Sequence, residues 1–314
     1  MKQCLLSFIF ILFMTGCGTD TDIDNEKPAL KGPLELTINN VAFDYHPADV
    51  DVYITDHNEI RLFITYADFN DPESPVVSYG LGFIFKDNHF SEAVTTFVKD
   101  GKNYRSSDFN PTADFHIKNY RYDPATRDLY FEFDGKLFEV LPEVNESGGS
   151  IMLKGKVDEK QIELRTENAA HRPIATFSDE HDNFYPILYF SDRSADDYLI
   201  FQHNFITNKG ERIRFSFDPF VLNAPSFPSE FTFNQETTNN RIDYYKFTGF
   251  PRSTMAKILR TEDWKKFNCS GTFTVLETFG YANGYISKGT FSMNIYDNQQ
   301  LFTTTENGVF IVKH

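Results

Sequence analysis

Apolar and polar residues alternate along most of this chain with a period of two. The clearest runs cover residues 59–66, 128–133, 212–217, 230–233, 271–275 and 289–296. A strand that packs one face and leaves the other in water shows this period. Turn-forming residues separate the runs, at 70–72, 99–101, 134–135, 208–210, 282–284 and 297–298. Many short strands bounded in this way predict an all-β fold of two antiparallel β-sandwich-like modules.

Residues 253–267 have the spacing of a helix instead. Ser253 stands where an N-cap would, and Met255, Ile258 and Leu259 fall on one side of the predicted helix. The sequence therefore predicts one or two short helical turns here, with these three apolar side chains buried.

A stretch near the start of the first half of the chain is similar to a stretch near the start of the second half. Residues 52–56 followed by 60–64 match residues 188–192 followed by 198–201, with spacings that agree within about two residues. An internal duplication explains the match, and so does convergent strand–turn–strand patterning. The polar stretch 166–173 is the predicted boundary, which gives modules at 34–168 and 169–314, each of ordinary domain size.

The N-terminal sixteen residues have the features of a secretory signal. Lys2 precedes an apolar run over residues 5–13, and the small residues Thr15 and Gly16 precede Cys17. The segment resembles the signal of bacterial lipoproteins, although Met14 stands where that family most often has Leu. The resemblance implies cleavage after residue 16 and acylation of Cys17, which anchors a protein stably. An ordinary cleaved signal and a membrane-spanning helix are the alternatives, but the apolar run is about half the length of a span.

Residues 17–33 are polar and acidic, and we expect a flexible tether. They resemble the acidic stretch that routes some Bacteroidetes lipoproteins to the outer cell surface. Residues 287–297 and 305–312 resemble the closing strands of small uncharacterised Bacteroidetes lipoproteins, and Gly308 would permit a bulge or tight turn there. These resemblances imply an outer-membrane lipoprotein, at the cell surface or on the periplasmic face, and supply no functional site.

The formal net charge of −15 makes nucleic acid an unfavourable partner, and the sequence shows no basic cluster. Cys4 leaves with the signal and Cys17 is acylated, so Cys269 has no partner for an internal disulfide. Because no histidine lies near Cys269 in sequence, we expect a buried structural thiol there rather than a nucleophile.

Metal-binding motifs are weak in this sequence. None of the eight histidines are spaced as a helical zinc pair, and the mixed clusters at 56–59 and 179–182 have the composition of solvated turns. One loop crowds several oxygen ligands beside a proline and is a calcium candidate, with a bare acidic loop as the alternative. Its residues are Asp68, Asn70, Asp71 and Glu73. No other cofactor is expected.

Catalytic motifs are absent from the sequence. There is no Gly-x-Ser-x-Gly elbow, and Gly80 and Gly82 lie in a strand-like run rather than a phosphate loop. Five aromatic residues fall in predicted loops, where exposed rings would stack on a ligand. They are Tyr120, Tyr122, Tyr244, Tyr245 and Trp264.

Together these features predict an exported, lipid-anchored cell-envelope protein with a non-enzymatic binding or structural role. Its partners would be the membrane, through the lipid, and a glycan, protein or small ligand. One alternative is a polysaccharide-active hydrolase with two carboxylates about 5–10 Å apart in a cleft. A second is a structural subunit that assembles through its sheet edges.

Overall fold

The computed structural model describes residues 34–42, 47–55, 58–67, 77–97, 101–142, 148–166, 173–179, 183–194, 199–222, 226–281 and 284–314. The fold of these residues is all-β, with two large sheets in a sandwich-like architecture. The predicted fold class is therefore confirmed. The signal, the tether with Cys17, and the calcium candidate at 68–73 lie outside the described residues.

The N-terminal half supplies the first sheet. Its strands are β1 (Leu34–Ile38), β2 (Val41–Ala42), β3 (Pro47–Thr55), β4 (Glu59–Ala67), β5 (Val77–Lys86), β6 (His89–Phe97), β7 (Lys102–Arg105), β8 (Phe115–Asp123), β9 (Asp128–Leu141), β10 (Ser150–Glu159) and β11 (Glu163–Arg165). A four-residue helix, α1 (Pro111–Asp114), precedes β8.

The C-terminal half supplies the second sheet. Its strands are β12 (Ile174–Ser178), β13 (Asn183–Phe184), β14 (Pro186–Arg193), β15 (Phe201–Thr207), β16 (Glu211–Phe217), β17 (Ser229–Phe233), β18 (Arg241–Phe247), β20 (Trp264–Tyr281), β21 (Gly284–Asp297) and β22 (Gln300–Lys313). The short strand β19 (Ser253–Thr254) pairs instead with β9 of the first sheet. A second four-residue helix, α2 (Pro219–Leu222), follows β16.

The two sheets have the same strand order. The first reads β2-β1-β10-β9-β7-β6-β5-β4-β3 and the second β13-β12-β22-β21-β20-β18-β16-β15-β14; the first sheet continues past β3 with β11, which has no counterpart in the second. In each sheet the first strand in sequence, β1 or β12, pairs with the last long strand, β10 or β22. A short strand, β2 or β13, pairs with the other side of that first strand and forms the edge. Of the similar stretches, residues 52–55 lie on β3 and residues 188–192 on β14, and these two strands hold the same place in the two sheets. This agreement supports the duplication over chance patterning.

Each sheet encloses its own apolar core. Aromatic rings dominate both, with Phe83 against Phe131 in the first core and Phe215 against Phe310 in the second, at centroid distances of 5.1 Å and 5.2 Å. Such ring pairs contribute about 0.5–1.5 kcal/mol beyond the area that they bury. The predicted boundary at 168–169 falls between β11 and β12, which belong to different sheets.

A third, smaller apolar cluster joins the two halves. Phe109, which follows β7, packs with Ile206, Tyr245 and Trp264 of the second sheet. Beside it, the carboxylate of Asp108 accepts hydrogen bonds from the backbone and the hydroxyl of Thr254. Residues 32–314 accordingly form one compact unit.

One of the short helical turns predicted over 253–267 is present, but the rest of the segment is not helical. Ser253 and Thr254 form β19, a single 3-10 turn covers Thr261–Asp263, and β20 begins at Trp264. The hydrogen bonds from Thr254 to Asp108 hold the start of this segment extended. Leu259 packs against the joining cluster, but Met255 and Ile258 are 62% and 48% exposed rather than buried.

The predicted turn at 134–135 is also wrong, because both residues lie inside β9. Gly135 is needed there for close approach: a Cβ atom at this position would lie 2.3 Å from the carbonyl oxygen of Asp114, at the end of α1. The predicted C-terminal hairpin is confirmed. β21 and β22 pair antiparallel, and the register shifts beside Gly308, as expected for a bulge.

Candidate functional site

A group of basic side chains lies on the outer face of the second sheet, the face turned away from that sheet's own core. On β16, Ile213 and Phe215 are fully buried in the core. Because successive side chains of a strand point to opposite faces, Arg212 and Arg214 lie on the outer face. The alternation read from the sequence is what places both guanidinium groups there.

Strand register adds further charged residues to this face. Arg212 is paired with Tyr245 and Arg214 with Asp243 on β18, and Tyr245 is paired with Lys266 on β20. We call the following residues the basic cluster: Arg212, Arg214, Arg241 and Lys266, with Asp243 among them.

Asp243 is the buried centre of an ion-pair network. Its Oδ2 lies 2.7 Å from Arg214 Nη2 and its Oδ1 lies 2.9 Å from Lys266 Nζ. Arg241 Nε is 3.3 Å from Oδ2, without hydrogen-bond geometry. Burial favours the neutral acid, but Arg214 and Lys266 outweigh burial and hold the pKa of Asp243 below its ordinary value.

Arg212 has a different environment. It is only 7% exposed, and its Nε donates to Asn204 Oδ1 at 2.9 Å. Its guanidinium carbon lies 4.6 Å from the ring centre of Tyr245 and 5.4 Å from that of Trp264. Among the residues that the structure describes, neither terminal nitrogen of Arg212 has a hydrogen-bond acceptor. Burial lowers the pKa of Arg212 to about 10, so the side chain remains charged at neutral pH.

Trp264 adds a second donor without an acceptor. The indole is 6% exposed, and its Nε1 has no hydrogen-bond partner in the described part of the chain. Phe109 and Phe247 contact the indole edge-on, with ring centres at 5.5 Å and 5.3 Å. Buried donors are normally paired, so the indole N–H of Trp264 is an exception among the described residues.

Three of the aromatic residues predicted in exposed loops are buried. Tyr244 and Tyr245 lie on β18 and are 2% and 7% exposed, and Trp264 begins β20. Tyr244 faces the core of the second sheet, whereas Tyr245 faces the cluster that joins the halves. The prediction of exposed stacking platforms is therefore wrong for these three. Both faces of this sheet are covered, and an isolated sequence does not show that.

Tyr120 and Tyr122 lie on β8 rather than in a loop, and both pack half-buried against the first core. The Tyr120 hydroxyl donates to Asn88 Oδ1 at 3.0 Å, and its ring lies 4.8 Å from that of Phe85. Both rings thus have structural contacts. Ligand contact by their remaining exposed surface stays a prediction.

Cys269 is buried on β20, and burial raises the pKa of its thiol to about 12. A thiol that holds its proton this strongly is a poor nucleophile at neutral pH, in line with the structural role expected. No group of three or more potential metal-ligating side chains occurs in the described ranges.

A shallow groove of about 380 Å³ lies between the end of β12 and β22. Asp179 and Glu306 both line it, together with the exposed side chains of Leu301 and Phe302. Within the described part of the chain, this groove brings two carboxylates together, as the carboxylate-pair alternative requires.

No family model, curated protein or solved structure matches this chain. Within the described ranges, no helix is long and apolar enough to cross a bilayer. The functional argument therefore depends on the geometry of the site.

The sequence shows no basic cluster, but the fold brings four basic residues together on one face. The members of this cluster come from β16, β18 and β20: Arg241 lies 29 residues after Arg212, and Lys266 lies 25 residues after Arg241. The one signal in the sequence is Arg-Ile-Arg at 212–214, where two charges alternate with a core residue.

Proposed function

We propose that this chain is an exported, lipid-anchored cell-envelope protein that binds an acidic ligand through the basic cluster, without chemical turnover. The observation that supports this best is the charge of the outer face. Among the residues of this face that the structure describes, four cationic side chains accompany two carboxylates, Asp243 and the neighbouring Asp192, an excess of two positive charges. The chain as a whole carries −15. A positively charged face on a negatively charged protein attracts anionic ligands and steers their approach.

An acidic glycan is the ligand class that we favour. Cell-envelope proteins meet polysaccharides, and uronic acid units present a carboxylate on each ring. Lys266 is 45% exposed at its side chain, while Arg214 is 18% exposed. The cluster is therefore open at Lys266 and increasingly enclosed towards Arg212, so a ligand would approach from the Lys266 side.

If Cys17 carries the lipid anchor, removal of its thiol should release the protein from the membrane completely. Cys17→Ala removes the thiol that would carry the acyl chains, so the variant is expected to leave the membrane fraction and lose the mass of the lipid. Fractionation with mass spectrometry of the purified protein measures both. Cys269→Ala is the matched control, because that thiol is buried. Membrane retention of Cys17→Ala with unchanged mass would refute the anchor.

The binding surface predicts selectivity by charge. Full-length protein in mild detergent is expected to bind polygalacturonate but not a neutral glucan, and to bind less as salt is added, since salt screens exposed charges. Arg214→Gln combined with Lys266→Gln is expected to weaken binding at least tenfold. Equilibrium binding on immobilised polysaccharide gives both values.

Lys118→Gln is the control for that variant, because Lys118 lies in an exposed ion pair with Asp134 on the first sheet. Equal binding of neutral and acidic polymers would contradict the proposal. Release of soluble sugar during the same incubation, abolished by Asp179→Asn, would instead favour the hydrolase.

A further inference from the structure

We infer that Lys266 exchanges its ion pair with Asp243 for one with an anionic group of the ligand, and that Asp243 thereby sets how tightly the basic cluster binds. Asp243 is then an internal competitor, which occupies Lys266 until a ligand takes its place. This inference rests on the proposed function, since it concerns the regulation of that same surface.

Lys266 is the accessible member of the ion pair. Its side chain is 45% exposed, whereas the side chains of Asp243 and Arg214 are 6% and 18% exposed. A ligand therefore meets the ammonium group at the surface and does not have to enter the buried part of the cluster. Lysine has a flexible stem and three rotatable donors, so Lys266 can turn towards an anion outside while β20 stays in place.

The two oxygens of Asp243 have different partners. Oδ2 accepts hydrogen bonds from Arg214 Nη2 at 2.7 Å and Nε at 3.3 Å, and from the hydroxyl of Tyr245 at 3.4 Å. Oδ1 lies 2.9 Å from Lys266 Nζ, its one partner among the residues that the structure describes. The carboxylate therefore remains bound to Arg214 when Lys266 leaves.

The exchange costs little free energy, because an ion pair that is open to solvent on one side is only modestly stabilising. Asp243 nevertheless opposes ligand binding in two ways. It occupies Lys266, and its own charge repels the anionic group of the ligand. Although burial disfavours that charge, Arg214 and Lys266 hold the pKa of Asp243 below its ordinary value, so Asp243 is ionised at neutral pH.

Lysine labelling of the wild-type protein tests the exchange directly. Lys265 is the matched control, because it is also 45% exposed but points to the opposite face of β20, with its Nζ 4.9 Å from the ring centre of the core residue Phe267. Polygalacturonate is expected to slow the acetylation of Lys266 by acetic anhydride at least threefold and to leave Lys265 unaffected. Fragment mass spectrometry of full-length protein labelled in mild detergent measures both rates.

Asp243→Asn removes the competitor and keeps the shape of the side chain. Its affinity for polygalacturonate is expected to rise about threefold to fivefold, the range for a partly solvated ion pair. Asp297→Asn is the control, because it also removes one negative charge and frees an equally exposed lysine, Lys265. Its affinity is expected to equal that of the wild type. If Asp243 only held the cations in place, Asp243→Asn would bind more weakly instead.

A second variant keeps the test valid if Asp243→Asn does not fold. In Arg214→Gln, Asp243 has Lys266 as its main partner, so binding is expected to weaken about threefold. Adding Asp243→Asn to Arg214→Gln frees Lys266 and is expected to restore that loss, and removing both partners of a buried pair costs less than removing one. Far-ultraviolet circular dichroism checks the fold. If Arg214 were itself the ligand contact, the combined variant would bind as weakly as Arg214→Gln.

The possible results separate this inference from the proposed function. Suppose that polygalacturonate binds the wild type and that Arg214→Gln with Lys266→Gln loses binding. If Lys266 is then not protected from labelling, or if Asp243→Asn binds no more tightly than Asp297→Asn, the exchange is refuted and the proposed function stands. Failure of the combined Arg214 and Asp243 variant to recover binding refutes the exchange in the same way. If no acidic polymer binds the wild type, both are refuted.

Discussion

Lowering the pH from 7 to 4 is expected to reduce the free energy of unfolding by roughly 3 kcal/mol through His203 alone. His203 lies on β15 and is fully buried, and burial lowers its pKa to about 3. In the unfolded chain a histidine has a pKa of about 6.5. Below that pH the unfolded state binds a proton that the folded state does not, so stability is lost as the pH falls from about 6.5 towards 3.

The surroundings of His203 offer little to stabilise its charged form. Tyr189 Oη lies 3.1 Å from Nδ1, and the rings of Phe201 and Phe217 lie beside the imidazole. The other titratable neighbour is His314, whose pKa burial lowers to about 4 and whose Nε2 is bonded to Ser287 at 2.9 Å. Two neighbouring imidazoles would repel each other once charged, so His314 adds to the same loss.

His203→Phe is the variant that isolates the effect, because a phenyl ring is planar and apolar, like its neighbours Phe201 and Phe217, and cannot be protonated. Urea unfolding at pH 7, 5.5 and 4 is expected to show a markedly smaller loss of stability than in the wild type. His116→Gln, at an exposed position on β8, is expected to retain the wild-type dependence. If His203→Phe loses as much stability as the wild type, His203 does not control the acid response.

The strands could be predicted because the core imposes a period of two on the sequence. Phe215 and Phe217 on β16, like Phe131 and Phe133 on β9, are buried residues separated by one outward position. The helical prediction over 253–267 is confirmed only for the single turn at Thr261–Asp263. The start of the segment is extended because Thr254 is held by Asp108, 146 residues away. Local spacing contains no information about such a partner.

The candidate site could be predicted only in part. The alternation of side chains along β16 predicts that Arg212 and Arg214 share a face. How deeply they are buried depends on the packing of Phe109 and its neighbours, which the alternation does not predict. Tyr244 and Tyr245 show the same limit: consecutive residues point to opposite faces, and both are buried because the sheet is covered on both sides. The covering segments come from distant parts of the chain.

Asp243→Asn is expected to lower the free energy of unfolding by roughly 3 kcal/mol, since removing one member of a buried ion pair leaves its partners uncompensated. The asparagine keeps the shape of the side chain but leaves Arg214, Arg241 and Lys266 facing one another. Because the pKa of Asp243 is held below its ordinary value, its contribution is present above the pKa of an unfolded aspartate. That contribution is lost as the pH falls through the lower folded value, so the difference between wild type and variant should shrink in acid.

The chain contains a matched control for this prediction. Lys265 and Lys266 are adjacent and equally exposed, at 45%, but Lys265 pairs with Asp297, which is 36% exposed, and Lys266 with Asp243, which is 6% exposed. Asp297→Asn is expected to cost under about 1 kcal/mol, as exposed pairs do. If the face binds anions, added sulfate should restore stability to Asp243→Asn and not to Asp297→Asn. Equal losses in both variants, with no rescue, would mean that the cations of the cluster are fully solvated, and the electrostatic basis for acidic-ligand binding would fail with them.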